Sequence, residues 1–87
     1  MLNKKVRVNS IYAYDPILMD VSNPPVGNPE KGDIVKVVNK HGCPPANTMG
    51  MCYIERLNGE FMGMCCTNSL VKLIITHKKG KRVFSLP

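Results

Sequence analysis

The 87-residue sequence contains no tryptophan, and its aromatic residues are limited to three Tyr and two Phe. Six methionines and four cysteines are therefore expected to fill part of a core that aromatic rings fill in other small domains. Acidic residues are also scarce, with six Asp and Glu against twelve Lys and Arg, for a formal net charge of +6. A chain of this length forms one domain with a thin core, so we also expect it to associate as a homo-oligomer.

Long hydrophobic runs are missing as well. No stretch approaches the length of a membrane span, and no apolar segment follows the basic residues near the N-terminus as in a secretory signal. The cysteines at positions 43, 52, 65 and 66 do not have the spacing of a secreted disulfide framework. These absences predict a cytoplasmic protein with reduced thiols and no membrane partner.

The basic residues are concentrated at the two ends of the chain. They are Lys4, Lys5 and Arg7 near the start, and Lys78, Lys79, Lys81 and Arg82 near the end. Such a positive field favours anionic partners, among them nucleic acids, nucleotides, acidic proteins and membrane surfaces. The alternative is that these lysine-rich ends serve solubility alone.

The hydrophobic pattern predicts several short strands and no helix. Alternation over residues 4–8 indicates a first strand, with Val6 and Val8 facing inward. Residues 11–31 carry four prolines, which argue against a helix and a central strand and predict a long loop. The β-branched run at residues 34–38 is the strongest strand signal, and further strands are expected at residues 51–56, 61–66 and 71–75.

The turns between these strands have recognisable chemistry. Asn58-Gly59 predicts a type I′ hairpin turn, Gly63 predicts a sharp bend, and residues 67–69 suit one helical turn. Together with neighbouring segments, these residues resemble a Src homology 3 domain over positions 4–75. The matching segments are Tyr14-Asp15-Pro16, Lys31-Gly32-Asp33-Ile34-Val35, Arg56-Leu57-Asn58-Gly59, Gly63 and Thr67-Asn68-Ser69-Leu70-Val71-Lys72-Leu73.

This resemblance implies an all-β fold, a small five-stranded Src homology 3-like barrel with a long Pro-rich first loop. Residues 1–76 would form the barrel, and residues 77–87 a basic C-terminal extension able to add a strand through Val83 and Phe84. That extension is expected to form a hairpin over residues 78–82 that turns at Gly80. The family's usual polyproline ligand is not expected, because Cys52 occupies the place of the groove tryptophan and Cys66 that of a groove proline.

Neither a metal site nor an enzyme active site is predicted. His41 and Cys43 are separated by one residue, Cys52 follows much later, and Cys65 and Cys66 are adjacent, so no pair has the spacing of a zinc knuckle. The sequence also lacks a Gly-rich phosphate loop and any known catalytic motif. We therefore expect a protein without a cofactor that is not an enzyme.

The segment from His41 to Cys52 is the candidate ligand-binding loop. Pro44 and Pro45 stiffen it, which lowers the entropic cost of binding, and Asn47 and Thr48 offer hydrogen-bonding groups. Lys40, just before this segment, and His41, its first residue, complete the predicted ligand-binding residues of the loop. Alternatively, the stiffness only fixes the register of the flanking strands.

The sequence therefore predicts a non-enzymatic module that binds nucleic acid or a nucleotide. Lys78, Lys79, Lys81 and Arg82 would attract the anion, and the loop would supply shape. The loop segment also resembles small uncharacterised bacteriophage proteins, which implies a phage or mobile-element accessory protein that sequesters a host nucleotide signal. One alternative is an inhibitor or adaptor that binds a host protein through Met49, Met51, Met62 and Met64, and another is a structural subunit.

Overall fold

A computed structural model describes residues 5–39 and 49–85, and within them the chain is all-β with antiparallel sheets and one short α-helix. The elements follow one another as β1 (Ile11–Tyr14), α1 (Leu18–Ser22), β2 (Ile34–Val38), β3 (Met51–Arg56), β4 (Phe61–Cys66), a 3₁₀ helix (Thr67–Ser69), β5 (Leu70–Lys72), β6 (Ile74–Lys78) and β7 (Lys81–Ser85). The long first loop, residues 15–33, joins β1 to β2 and contains α1. No helix of the described segments is long and apolar enough to cross a bilayer.

Strands β1 to β5 form one sheet in the order β4-β3-β2-β1-β5. The β-branched residues of β2 explain its central place, since Val35 and Val37 are completely buried. Val37 lies opposite Ile54 of β3, which is also fully buried. The predicted strands at 34–38, 51–56 and 61–66 are thus confirmed.

Cysteine and methionine fill the core in the way that the shortage of aromatics predicts. Cys52, Cys65 and Met62 are no more than 1% exposed and pack in the same cluster as Tyr12 and Tyr14. Small, polarisable side chains suit this position, because they fill irregular space between two strands without a polar group that needs a partner.

The predicted first strand is wrong in position. Strand β1 begins at Ile11, while the preceding residues turn: Ser10 N–H donates to the Arg7 carbonyl at 3.2 Å, and Asn9 has a φ of 70°. Val6 is buried as expected, but Val8 is 36% exposed. The Ile-Tyr-Ala-Tyr strand lacks apolar–polar alternation because Tyr12, Ala13 and Tyr14 are all buried.

The first loop also differs from the prediction, because it contains a helix. Pro16 lies before α1 and Pro24 after it, so the prolines bound the helix without interrupting it. Beyond the helix the loop folds over the edge of β4, where Gly27 N–H donates to the Met62 carbonyl at 2.9 Å. The loop thereby covers part of an otherwise open sheet edge.

The β3–β4 hairpin turns at the predicted residues, but the turn is of another type. Gly59 has a φ of 93°, whereas Asn58 does not have a positive φ, so the turn is not type I′. Gly59 N–H donates to the Arg56 carbonyl at 2.9 Å, and Arg56 N–H donates to the Glu60 carbonyl at 2.8 Å. This is a three-residue hairpin loop that ends in a glycine with positive φ.

After β4, the helical turn expected at residues 67–69 is present as the 3₁₀ helix. The strand predicted at 71–75 is divided: Leu70–Lys72 pairs with β1, and Ile74 and Ile75 belong to β6.

Strands β6 and β7 form a separate two-stranded sheet, and we call residues 74–85 the ribbon. Its turn contains Lys79 and Gly80, both with positive φ, as the predicted hairpin requires. The expected boundary between residues 76 and 77 falls inside β6, and the domain division stays a prediction.

Candidate anion-binding cleft

A cleft of about 750 Å³ lies between the N-terminal segment, β1, β5 and the ribbon. Its lining is dominated by basic and apolar side chains. The lining residues are Lys5, Arg7, Asn9, Ser10, Ile11, Tyr12, Lys72, Leu73, Ile75 and Arg82. We call this site the anion cleft, because all of its charged side chains are basic.

The N-terminal wall of the anion cleft is held by backbone hydrogen bonds. Arg7 N–H donates to the Tyr12 hydroxyl at 2.9 Å. Asn9 N–H donates to the Val37 carbonyl at 2.7 Å, and Val37 N–H donates to the Ser10 carbonyl at 3.0 Å. The backbone of Arg7 is therefore fixed to the sheet, while its side chain is exposed in the cleft.

The floor is formed by β1 and β5. Tyr12 lies directly opposite Lys72, so the two side chains project from the same face of the sheet as neighbours. Tyr12 and Leu73 are each 8% exposed and give the floor an apolar base. Lys72 is exposed and extends over that base toward the solvent.

The ribbon supplies the remaining wall. Ile75 and Arg82 project from the same face of the ribbon, as do His77, which lies opposite Arg82, and Phe84, which lies opposite Ile75. Ile75 and Arg82 both line the cleft, so this face of the ribbon is the one turned toward the main sheet.

The charges of the cleft are all of one sign. Lys5, Arg7, Lys72 and Arg82 line it without any Asp or Glu. Within the described residues, none of these four lies within 4.0 Å of a carboxylate oxygen. An anion that enters the cleft would therefore meet several cations that have no competing internal partner.

The acidic residues lie elsewhere. Asp15 is 4.0 Å from Lys31, and Arg56 lies 3.3 Å from Asp33 and 3.2 Å from Glu60. Asp20 is only 3% exposed. The separation of charge leaves a positive surface around the cleft and the ribbon.

The sequence located only part of this site. Arg82 lines the cleft, while Lys78, Lys79 and Lys81 are exposed at the end of the ribbon outside it. The other predicted ligand-binding residues lie outside the described residues: Lys40, His41, Pro44, Pro45, Asn47 and Thr48. Sequence reasoning counted Lys5 and Arg7 as basic end residues, but it missed the contribution of Lys72, because an isolated lysine on a short strand carries no signal of its own.

A second cluster of reactive groups lies where α1 meets the end of β4. Cys66 N–H donates to both carboxylate oxygens of Asp20 at 3.2 Å. Burial, followed by the charge and hydrogen bond of Asp20, raises the pKa of the Tyr14 hydroxyl. Burial and the hydrogen bond to Asp20 raise the pKa of the Cys66 thiol to about 11.

The other two described cysteines face each other across β3 and β4. The Sγ atoms of Cys52 and Cys65 are 3.9 Å apart, and both thiols are free. The hydrogen bond to Cys52, together with burial, raises the pKa of Cys65. Neutral buried thiols are poor nucleophiles and poor metal ligands, and residues 5–39 and 49–85 contain no cluster of His, Cys, Asp or Glu arranged to hold a metal ion.

The methionines predicted as core or interface residues differ in burial, and the interface role stays a prediction. Met62 is fully buried, whereas Met64 is 42% exposed on the outer face of β4. Beside Met64, the rings of Tyr53 and Phe61 stack with their centroids 5.7 Å apart. Glu55 lies opposite Phe61 on the same face, so the apolar side chains form a cluster beside a charged one, on different strands from those that form the anion cleft.

Comparison of the chain with protein-family models, curated proteins and solved structures gave no match.

Proposed function

We propose that the protein is a non-enzymatic binding module that holds an anionic partner, a nucleic acid or a nucleotide, in the anion cleft. The observation that carries this proposal is the convergence of Lys5, Arg7, Lys72 and Arg82, from three separate parts of the chain, on one cleft without a carboxylate. Arginine and lysine bind phosphate oxygens through charge-assisted hydrogen bonds, and arginine can do so with two parallel bonds.

The proposed scaffold is a small five-stranded barrel of the Src homology 3 type. The strand order β4-β3-β2-β1-β5, the long loop between β1 and β2, and the 3₁₀ helix between β4 and β5 support it. The anion cleft lies on β1, β5 and the ribbon, so the proposed ligand does not depend on the aromatic residues that a polyproline groove requires.

Charge reversal in the cleft provides the test. The variants Arg7→Glu and Lys72→Glu change exposed side chains, and Lys31→Glu is the matched control, because Lys31 is an exposed lysine on the first loop. The probes are fluorescein-labelled ATP and a labelled 20-nucleotide oligothymidylate, measured by fluorescence anisotropy at 50 and 200 mM NaCl. We expect each cleft variant to weaken binding by about tenfold or more and the control by less than about twofold.

Two results would contradict the proposal. One is that neither probe binds at 50 mM salt, and the other is that the cleft variants bind as tightly as the unchanged protein. Circular dichroism of each variant verifies that the fold is retained. Recovery of ATP intact after incubation supports the non-enzymatic role, and its conversion would refute that role.

If the anionic partner is a nucleotide, we propose that the protein sequesters a host nucleotide signal by binding it in the anion cleft. The cleft volume of about 750 Å³ falls within the range of small-molecule sites. If this is correct, labelled ATP or a related nucleotide binds with one-to-one stoichiometry, and the oligonucleotide competes through the same cations.

Protein binding is the second candidate function, because Tyr53, Phe61 and Met64 form an apolar cluster on the outer face of β3 and β4. Aromatic residues and methionine are enriched in protein interfaces. This function would be supported instead if the protein forms a complex with a host protein, if Met64→Asp abolishes that complex, and if the affinity changes little with salt concentration.

A further inference from the structure

The ribbon is the part of the described chain that is least integrated with the main sheet. All residues of β6 and all residues of β7 except the half-buried Phe84 are exposed. The two strands contact each other far more than they contact any other element. The ribbon therefore extends from the body of the protein through its connection at Leu73.

The charge of the ribbon is concentrated at its tip. Lys78, Lys79, Lys81 and Arg82 surround the turn, and no Asp or Glu is present from residue 61 to the end of the sequence. Lys78 and Lys81 lie opposite each other on the face turned away from the cleft, and Arg82 projects from the cleft-facing side. Positive charge therefore continues from the cleft, around both faces of the ribbon, to its tip.

A two-stranded hairpin of this kind needs a surface to stabilise it, because isolated hairpins are marginal in water. A second copy of this chain would be a poor match for the tip. Of the six acidic residues, Asp15, Asp33 and Glu60 already lie within ion-pair distance of Lys31 or Arg56, and Asp20 is buried. Only Glu30 and Glu55 are left to face the basic residues of a ribbon from another copy. A polyanion offers the regular negative charge that such a copy lacks.

We propose that the partner is duplex DNA, and that the ribbon enters its major groove with the tip first while the anion cleft binds a backbone phosphate beside the groove. This inference rests on the proposed anion-binding function. The major groove, about 12 Å wide, admits a two-stranded β-ribbon. Each five-residue strand spans about 17 Å, which is enough to cross the depth of the groove.

The chemistry of the tip determines what the ribbon reads. Lysine binds phosphate oxygens whatever the base sequence, so we expect the contacts to be mainly with phosphates that border the groove and binding to depend little on sequence. The major groove of A-form RNA is deep and narrow and does not admit the ribbon. Duplex DNA is therefore bound more tightly than duplex RNA of the same sequence.

The experiment uses two kinds of ribbon variant. Lys79→Asn with Lys81→Gln removes two charges but places Asn-Gly in the turn, the pair that type I′ hairpins prefer, so the hairpin is retained. Gly80→Val keeps every charge but introduces a β-branched residue where φ is 76°, which distorts the turn. Lys31→Gln is the control for loss of a single exposed charge.

The probes are a mixed-sequence 20-base-pair DNA duplex, its separated strands, the same duplex in RNA, and ATP. Binding is measured by fluorescence anisotropy across 50 to 200 mM NaCl. We expect DNA duplex to bind at least about tenfold more tightly than the RNA duplex or ATP. For the DNA duplex, the double variant should reduce the magnitude of the slope of log K against log[NaCl] by about 2. Gly80→Val should weaken binding of the DNA duplex without changing the affinity for ATP.

The alternative outcomes are distinguishable. If ATP or single strands bind through Arg7 and Lys72 while the ribbon variants leave duplex binding unchanged, the ribbon inference is wrong and the proposed function stands. If no probe binds, both fail. A dimer in native mass spectrometry that the double variant dissociates, with duplex binding unaffected, would show instead that the ribbon docks on a second copy.

Discussion

At the scale of single residues, the buried carboxylate of Asp20 holds α1 against β4 and β1. Both of its oxygens accept a hydrogen bond from Cys66 N–H, and the carboxylate is also hydrogen-bonded to the Tyr14 hydroxyl. Asp20→Ala removes these bonds and leaves buried donors unsatisfied, so we expect the free energy of unfolding to fall by about 3 kcal/mol. Urea denaturation measures this, and Met19→Ala, at an exposed position of the same helix, should change it by less than about 0.5 kcal/mol. Equal losses for the two variants would show that Asp20 does not anchor α1.

The thiols beside Asp20 predict instability at alkaline pH. The pKa of Cys66 rises from 9.0 to about 11 in the folded protein, and the pKa values of Cys65 and Tyr14 are raised as well. At pH values above 9 the unfolded chain releases protons that the folded chain keeps, so stability is full below pH 9 and falls as pH rises toward 11. Urea midpoints at pH 8, 9, 10 and 11 measure this fall. Cys66→Ala should make the decline shallower, and an unchanged pH dependence in that variant would contradict the assignment.

At the scale of elements, two glycines set the close contact between the first loop and β4. A Cβ atom at Gly27 would lie 2.7 Å from the Met62 Cα, and one at Gly63, where φ is 94°, would lie 3.0 Å from the Val26 nitrogen. Gly63 also follows Met62 at the irregularity where Ile54 and Glu55 of β3 pair with Gly63 and Phe61.

Alanine at either glycine is expected to separate the loop from the strand. We predict losses of about 2 to 3 kcal/mol in unfolding free energy for Gly27→Ala and Gly63→Ala, because backbone atoms cannot move aside as a flexible side chain does. Gly32→Ala is the control: its φ is 92°, but nothing lies near the added atom, so only the backbone strain of about 1 kcal/mol is expected. If Gly63→Ala loses no more stability than Gly32→Ala, its positive φ and not packing explains the effect. A loss below about 0.5 kcal/mol for Gly27→Ala, whose φ is not positive, would show that the loop accommodates the added atom.

Strand β2 could be predicted from the sequence, whereas strand β1 and helix α1 could not. The run from Ile34 to Val38 predicted β2 because β-branched residues favour strands, and Val35, Val37 and Val38 are buried in the sheet. Strand β1 was missed because its residues are buried along almost its whole length, while the alternating segment before it has a stronger strand pattern. Helix α1 could not be predicted from the density of prolines, because Pro16 and Pro24 lie on either side of the helix and do not interrupt it.

At the scale of the whole molecule, the anion cleft depends on tertiary structure in a way that local patterns do not encode. Arg7, Lys72 and Arg82 come together because β1 pairs with β5 and because the ribbon follows β5 directly. Counting charges in the sequence predicted an anionic partner, and of the basic residues predicted to bind it, Arg82 lines the cleft. The pairing of Lys72 with Tyr12, which brings that lysine into the site, became visible only with the sheet register.

The same arrangement predicts that the main sheet folds without the ribbon. Leu73, 8% exposed, is the last buried hydrophobic residue in the part of the chain that the structure describes, and residues 74–85 are exposed or half-buried. A chain ending at residue 73 is therefore expected to unfold cooperatively in urea, with a loss of less than about 1 kcal/mol and a nearly unchanged m-value, because little buried surface is removed. Non-cooperative unfolding, or a loss of several kcal/mol, would mean that the ribbon contributes to the core. A folded truncated protein that no longer binds the anionic probes would separate the two roles: the sheet would supply stability, and the ribbon with Arg82 would supply the recognition.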